Sequence, residues 1–191
     1  NIVILFDWWC KDTKNTPDYG INRRLLSWNI NILNRPYFFK VVSLIYYLCK
    51  MRKIKRIFVH CTASSQKWGV KELLAEFKAK GWRNPGYHKV VTEDGVIHQL
   101  LDISKVSNGV QGYNSTAINI AYVGGIDSKG KPIDNRTEAQ KIALRSLLIE
   151  LHRQYPHATI MGHRDIWGSD PRKWKKWCPC FDAMSDYKDI E

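Results

Sequence analysis

The feature that most constrains the fold is an alternation of strand-like and helix-like segments that begins near Met51. Short apolar or alternating runs predict strands at 55–61, 87–92, 96–101, 118–123 and 158–161. A helical period predicts helices over 70–80 and from 137 to shortly before Pro156. The turn sequence Glu93-Asp94-Gly95 favours a hairpin between the second and third runs. The sequence therefore predicts a single α/β domain with a sheet at its centre.

Local signals define the ends and the buried faces of the two helices. Gly81 is expected to end the first helix, and the spacing of Thr137 and Gln140 is that of a capping box at the start of the second. We expect the first helix to bury Leu73, Leu74 and Phe77, and the second to bury Ala139, Ile142, Ala143, Leu147 and Leu151.

The first fifty residues differ from the rest of the chain. They are rich in Trp, Tyr, Ile and Asn and show no sustained period, and the first methionine of the chain is Met51. Two interpretations stay open: the segment lies upstream of a natural start at Met51, or it is an extension that packs on the domain. The predicted organisation is an N-terminal extension over 1–50 and one domain over 51–191.

The net charge of +12, from 30 Lys and Arg against 18 Asp and Glu, favours polyanionic partners. Because the basic residues are scattered rather than gathered on one helix or stripe, we expect no nucleic acid partner.

The apolar run 41–49 is far shorter than the ~20 residues of a membrane-spanning helix. No signal-peptide pattern is recognisable, and five widely spaced cysteines do not form a disulfide framework. We therefore expect synthesis in the cytoplasm.

Three metal-ligating side chains stand at or near the ends of extended segments. His60 ends the first strand-like run, His163 follows the last one, and Cys178 precedes Pro179. Two imidazoles and a thiolate would give a zinc ion three ligands and leave one position open for water, which is typical of a catalytic site. Each of these residues alone would more often be structural. Cys180 is a rival ligand, although packing is its expected role.

Strand alternation supports His60 as a ligand. It places Ile57, Val59 and Cys61 on one apolar face and His60 on the other. Cys61 is then a small buried apolar residue.

Two further side chains have chemical potential near these ligands. In an extended segment Lys176 projects to the same side as Cys178 and could stabilise an oxyanion, although spacing alone favours a solvated lysine. Of the neighbours Tyr87 and His88, only one can easily reach a shared metal site, and a phenol can polarise a carbonyl or relay a proton. Ordinary strand packing is the alternative for Tyr87. The remaining histidines are expected at the surface: His98, His152 and His157.

Several of these motifs occur together in one known family. Phe58-Val59-His60-Cys61-Thr62-Ala63-Ser64, Gly86-Tyr87-His88, Gly112-Tyr113-Asn114, Val123-Gly124-Gly125 and Cys178-Pro179-Cys180-Phe181-Asp182 resemble the type-2 N-acetylmuramoyl-L-alanine amidases. That family includes phage endolysins and peptidoglycan recognition proteins. The resemblance runs in order from about Lys55 to Asp182 and covers none of the first fifty residues.

The resemblance implies a central mixed β-sheet flanked by helices, with a zinc cleft on one side, in a zinc amidase domain over 51–191. It implies that His60, His163 and Cys178 bind Zn²⁺ and that Tyr87 and Lys176 are catalytic. The substrate would be peptidoglycan, cut at the amide between N-acetylmuramic acid and L-alanine by a phage-type lytic enzyme acting on the cell wall. We expect a monomer.

Two departures from the family pattern and two alternatives qualify this expectation. The stretch 107–111 lacks the histidine that phage members carry before Gly-Tyr-Asn, and residues 167–174 are an insertion that we expect to wall the cleft and contact glycan or peptide. For residues 167–174, a surface loop without a binding role is an equally supported alternative. A non-catalytic peptidoglycan-binding recognition module is the main competing function, although such modules typically lose the cysteine ligand. The other competing function is that of a regulator that binds another protein, such as a polymerase, through its basic surface.

Overall fold

The computed structural model of the protein describes residues 52–190, so the predicted extension over 1–50 lies outside the described residues. Within that range the strands are β1 (Arg56–Cys61), β2 (Lys89–Val91), β3 (Ile97–Gln99), β4 (Ala117–Tyr122) and β5 (Thr159–Gly162). The α-helices are α1 (Val70–Ala79), α2 (Glu138–Gln154) and the short α3 (Ala183–Asp186). Short 3₁₀ segments cover Asn114–Thr116, His163–Trp167 and Pro171–Lys173.

The strands form one mixed sheet in the order β3-β2-β4-β1-β5. β1 pairs in parallel with both β4 and β5, β2 pairs in parallel with β4, and the predicted hairpin pairs β2 with β3 antiparallel. The expected central mixed sheet with flanking helices is therefore confirmed. Because β1 and β5 run in parallel with Val59 opposite Gly162, the residues that follow these positions reach the same edge of the sheet.

The two faces of β1 separate as alternation predicts. Ile57, Val59 and Cys61 belong to the main core with the leucines of α2. Phe58 packs in a different cluster on the other side, with Val110 and Ala117. Both faces are covered, so β1 is buried along its length after Arg56.

Helix α2 begins as predicted but turns a different face to the sheet. The Thr137 hydroxyl accepts from the Gln140 N–H and the Gln140 side chain accepts from the Thr137 N–H, each at 3.1 Å. Ile142, predicted to be buried, is 67% exposed, and Ala139 is also exposed. The buried positions are Gln140, Leu144, Leu147, Leu148 and Leu151.

Gln140 explains part of that difference. Its side-chain amide donates to the carbonyls of Val91 and Val123 at 3.2 and 2.9 Å, so a polar residue fixes the helix against two strand ends. A buried amide with both donors satisfied costs little, and the leucine stripe follows from its position.

Helix α1 matches the sequence closely. It ends at Ala79, and Gly81 adopts a φ of +70°, a left-handed conformation that favours glycine. Leu73 and Phe77 are buried as expected, whereas Leu74 is 41% exposed. Among the described helices, none combines the length and the apolar character that crossing a bilayer requires.

Candidate metal centre

The fold brings the three predicted ligand residues together. His60 lies near the end of β1, His163 follows β5 directly, and Cys178 lies in a turn before α3. One ligand atom from each lies within 4.8 Å of the other two, and the Cys178 sulfur is 3.5 Å from His60 Nδ1. The rings of His60 and His163 are 4.9 Å apart and nearly perpendicular, at 77°.

Backbone hydrogen bonds hold the Cys178 turn against the sheet edge. The Arg164 N–H donates to the Cys178 carbonyl at 2.9 Å, which ties the turn to the segment carrying His163. The Cys61 N–H points at the Cys178 sulfur at 3.3 Å. These contacts fix the Cys178 sulfur beside the two imidazoles.

A buried asparagine determines which nitrogen of His60 faces the cluster. His60 Nε2 is 2.9 Å from Asn119 Oδ1, and Asn119 is fully buried on β4. The orientation of the Asn119 amide follows from its other partner, because Asn114 Oδ1 already accepts from the Val110 N–H and must face the Asn119 Nδ2 donor, at 3.3 Å. His60 Nε2 therefore carries the proton, and the lone pair of Nδ1 points toward Cys178.

The hydrogen bonds continue behind Asn119. Its Nδ2 donates to the Ser107 hydroxyl at 2.8 Å, and that hydroxyl lies 3.2 Å from His88 Nδ1. The Asn119 backbone N–H also donates to His88 Nδ1 at 2.9 Å, and His88 Nε2 lies 3.1 Å from the Lys105 carbonyl. We call Asn119, Ser107 and His88 the rear network; all three are 0% exposed.

Gly109 makes room for the rear network. A Cβ at this position would lie 2.3 Å from Asn119 Cγ, a distance at which backbone or side chain must move. Gly109 stands in the stretch 107–111, which contains no histidine. That stretch supplies Ser107 and a close backbone approach to Asn119.

Both imidazoles are neutral near pH 7. Burial, followed by the charge of Lys176, lowers the pKa of His60 to about 4, against a partial rise from the Asn119 hydrogen bond. Burial lowers the pKa of His163 to about 3, with further lowering by His60 and Lys176. Neutral imidazole is the metal-binding form of histidine, and two nitrogens with one sulfur are a donor set that suits a borderline-soft divalent cation. The residues fit a metal ion.

The cluster lies at the base of a cleft of about 320 Å³ whose lining includes Tyr87 and Lys176. The Tyr87 ring is 5.2 Å from that of His60, and its hydroxyl donates to the Cys61 carbonyl at 3.4 Å. Burial, with nearby thiol groups, raises the pKa of Tyr87 well above 10, so its phenol stays protonated. Lys176 is exposed at the cleft.

Cys180 takes the packing role expected of it. Its sulfur is 3.6 Å from that of Cys61 and donates to the Gly125 carbonyl at 3.2 Å. It is absent from the metal-competent group found among residues 52–190. Of the histidines expected at the surface, His157 is exposed, whereas His98 and His152 are half-buried.

The segment 167–174 supports the site instead of lining the cleft. Trp167 stacks on His163 with ring centroids 5.6 Å apart. Trp174 donates its indole N–H to the Gly168 carbonyl at 2.7 Å and lies under the Arg164 guanidinium, 4.1 Å from the ring centroid. The residues that line the cleft come directly afterwards, at 176–178. This segment therefore contacts residues that line the cleft without lining it itself.

Sequence reasoning missed the rear network. The available signal was Asn119 itself, which is the one strongly polar residue in the strand sequence Ala-Ile-Asn-Ile-Ala-Tyr of 117–122. A buried strand tolerates an amide only when its hydrogen bonds are satisfied. Asn119 was therefore a candidate for a polar contact.

Comparison with known proteins assigns the chain to a family. A family model described as N-acetylmuramoyl-L-alanine amidase matches residues 50–181. An endolysin of Klebsiella phage KP32 is 42% identical over 135 residues, which cover 70% of this chain and 85% of that protein. An endolysin of Enterobacteria phage K11 is 39% identical over 137 residues, covering 71% and 86%.

A solved structure supports the fold. The N-acetylmuramoyl-L-alanine amidase LysC from Clostridium intestinale URNW superposes with a TM-score of 0.58 and 22% identity, over 74% of this chain and 84% of that one. At this identity the likeness concerns the architecture of the sheet and helices.

Proposed function

The chain belongs to the N-acetylmuramoyl-L-alanine amidase family, and on that premise we propose that it is a zinc-dependent hydrolase of bacterial peptidoglycan. The bond cut is the amide between N-acetylmuramic acid and L-alanine. The observation that carries the proposal is the convergence of two neutral imidazoles and a cysteine sulfur within 4.8 Å at the base of a cleft. Residues 51–191 form the zinc amidase domain.

His60, His163 and Cys178 would hold the zinc. When bound, the ion supplies Lewis-acid polarisation of the scissile carbonyl and lowers the pKa of a water molecule to ~7. The rear network keeps His60 Nε2 protonated and so leaves Nδ1 as the donor atom toward the cluster. Cys61 contributes its backbone N–H to the Cys178 sulfur.

Tyr87 and Lys176 are the proposed catalytic residues. The protonated phenol of Tyr87 and the ammonium of Lys176 both reach the cleft. Attack of water on the amide places negative charge on the former carbonyl oxygen and requires a proton at the leaving nitrogen. A positioned phenol and a cation meet these two needs by hydrogen bonding and charge stabilisation.

The setting is that of a phage-type lytic enzyme acting on the cell wall. Relatives that share 42% and 39% of the aligned residues are named endolysins, and this chain covers most of their length. The basic charge suits a polymer whose stem peptides carry carboxylates.

The deciding experiment digests purified peptidoglycan with the zinc-loaded protein and with the same protein after chelation. New amino termini of L-alanine without new reducing sugar ends, lost on chelation and restored by zinc, are the expected result. Binding to the wall without cleavage, despite bound zinc, would favour the recognition module.

A matched pair of cysteine variants tests the ligand assignment. Cys178→Ser should abolish hydrolysis and lower the zinc content while the protein stays folded, because serine is a poor zinc ligand. Cys180→Ser, two residues away, should keep both the zinc and most of the activity. Full activity in Cys178→Ser would refute the proposed metal site.

A further inference from the structure

Trp177 has a large apolar side chain that is exposed to water at the cleft. Its side chain is 52% exposed, although it stands between two residues proposed for function, Lys176 and Cys178. An exposed apolar side chain on its own is common, but an indole that lines a cleft offers a flat apolar surface that a ligand can cover.

The indole is exposed but held in place. Trp174 packs edge-on against it, with ring centroids 5.3 Å apart and an interplanar angle of 89°. Trp174 is itself fixed by its bond to the Gly168 carbonyl and by the Arg164 guanidinium. The Trp177 carbonyl accepts from the Cys180 N–H at 2.7 Å, so its backbone belongs to the metal-site turn. A pre-ordered aromatic group loses little conformational entropy on binding.

The position of Trp177 indicates which part of the substrate it would contact. In the proposed substrate the scissile carbonyl belongs to a lactyl group attached directly to a sugar ring. When this carbonyl lies at the metal cluster, the ring must lie within a few bonds of it. Trp177 lines the same cleft as His60, His163 and Cys178, so it borders the space that the sugar ring would enter.

The chemistry of the indole also matches a saccharide better than a peptide. A pyranose ring presents a face of C–H groups that packs on an aromatic surface. The stem peptide beyond the scissile bond starts with alanine and then carries carboxylates, for which the neighbouring lysines are the complementary groups.

We propose that Trp177 forms a saccharide subsite that packs against the N-acetylmuramic acid ring next to the scissile amide. This inference rests on the proposed function and adds the side of the bond that the residue recognises. Trp177 acts in binding and contributes similarly to ground state and transition state, so its loss raises KM more than it lowers kcat.

The test compares two substrates that differ only in the sugar: an N-acetylmuramoyl peptide and the D-lactoyl peptide of the same sequence. Trp177→Ala should raise KM for the muramoyl peptide about tenfold and leave kcat/KM for the lactoyl peptide unchanged. Trp177→Phe keeps an aromatic ring and should retain most of the affinity. Ile142→Ala, which removes an exposed apolar side chain on α2 away from the cleft, is the control and should change neither substrate.

Other outcomes overturn the inference. An equal loss on both substrates would mean that Trp177 acts on Lys176, on Cys178 or on the peptide, and no loss on either would mean that its surface is not used. Zinc content and thermal unfolding of each variant exclude a folding defect.

The result is separable from the proposed function. If the zinc-loaded wild type cleaves neither substrate, the proposed hydrolysis fails. Equilibrium binding of the same two compounds then decides the subsite: a loss in Trp177→Ala limited to the muramoyl peptide supports it, and any other pattern refutes it.

Discussion

The two sides of the metal cluster are built in opposite ways. Behind it the residues of the rear network are 0% exposed, and they are joined by hydrogen bonds between 2.8 and 3.2 Å, one of them from the Asn119 backbone N–H. In front of it Lys176 and Trp177 are exposed, and the aromatic contact that holds Trp177 comes from Trp174 in the segment 167–174. One side is closed to water, and the other faces it.

This difference assigns different tasks to the two sides. A buried network with every partner satisfied fixes one tautomer and one ring orientation, which is what a metal ligand requires. An exposed aromatic and basic surface cannot impose such order, but it can contact a large polymer. We therefore expect changes behind the cluster to alter metal binding and, through it, activity. In front of the cluster we expect changes to alter KM, except at the proposed catalytic residue Lys176.

The largest effect is expected at the two proposed catalytic residues, which both line the cleft. Tyr87→Phe and Lys176→Met should each lower kcat by roughly 10²–10³-fold, because each removes a donor to developing charge while keeping similar bulk. Both proteins should keep full zinc content. Steady-state kinetics on a muramoyl peptide gives the measurement, and an unchanged kcat in either variant would remove that residue from the mechanism.

A smaller effect is expected behind the cluster. Asn119→Ala removes the acceptor that fixes His60 and should weaken zinc binding or activity by roughly 10–100-fold. Competition with a chromophoric chelator measures the affinity, and the absorption spectrum of the cobalt-substituted protein reports the ligand geometry.

Asn119→Asp is the matched control for this change. It keeps an acceptor for His60 Nε2 and should therefore retain the cobalt spectrum better than Asn119→Ala. It also removes the Nδ2 donor to Ser107 and Asn114, so its free energy of unfolding should fall. If both variants lose stability but bind zinc as tightly as the wild type, Asn119 is structural only and the contrast between the two sides is broken.

The smallest effect is expected in front of the cluster, at Trp174, which contacts Trp177 but is not proposed to contact the substrate. Trp174→Ala frees the Trp177 indole from its edge contact and should raise KM for a muramoyl peptide about threefold, with kcat and zinc content unchanged. Lys173→Ala, an exposed neighbour, is the control and should match the wild type. A fall in zinc content in Trp174→Ala would show that residues in front of the cluster also support zinc binding, and the contrast between the two sides would then fail.

Sequence reasoning succeeded where a local rule decides a position. Alternation along β1 placed His60 opposite the apolar face, and the capping box placed the start of α2. It failed where neighbouring faces of a helix compete for burial. Ile142 fits an apolar stripe equally well, but Gln140 is anchored to two strand carbonyls, and with it the leucines of α2 are the buried face. Residues 167–174 were expected to wall the cleft, and they support the residues that do.

The sequence by itself determined the class of fold, the family and the identities of the three residues that could bind a metal, because these depend on residue type, order and spacing. The tertiary structure decided how they meet. His60, His163 and Cys178 lie up to 118 residues apart in the chain, as Cys178 does from His60, and the parallel pairing of β1 with β5 brings them together. It also decided the proton position on His60, because Asn119 reaches that ring across a strand pairing that local patterns do not encode.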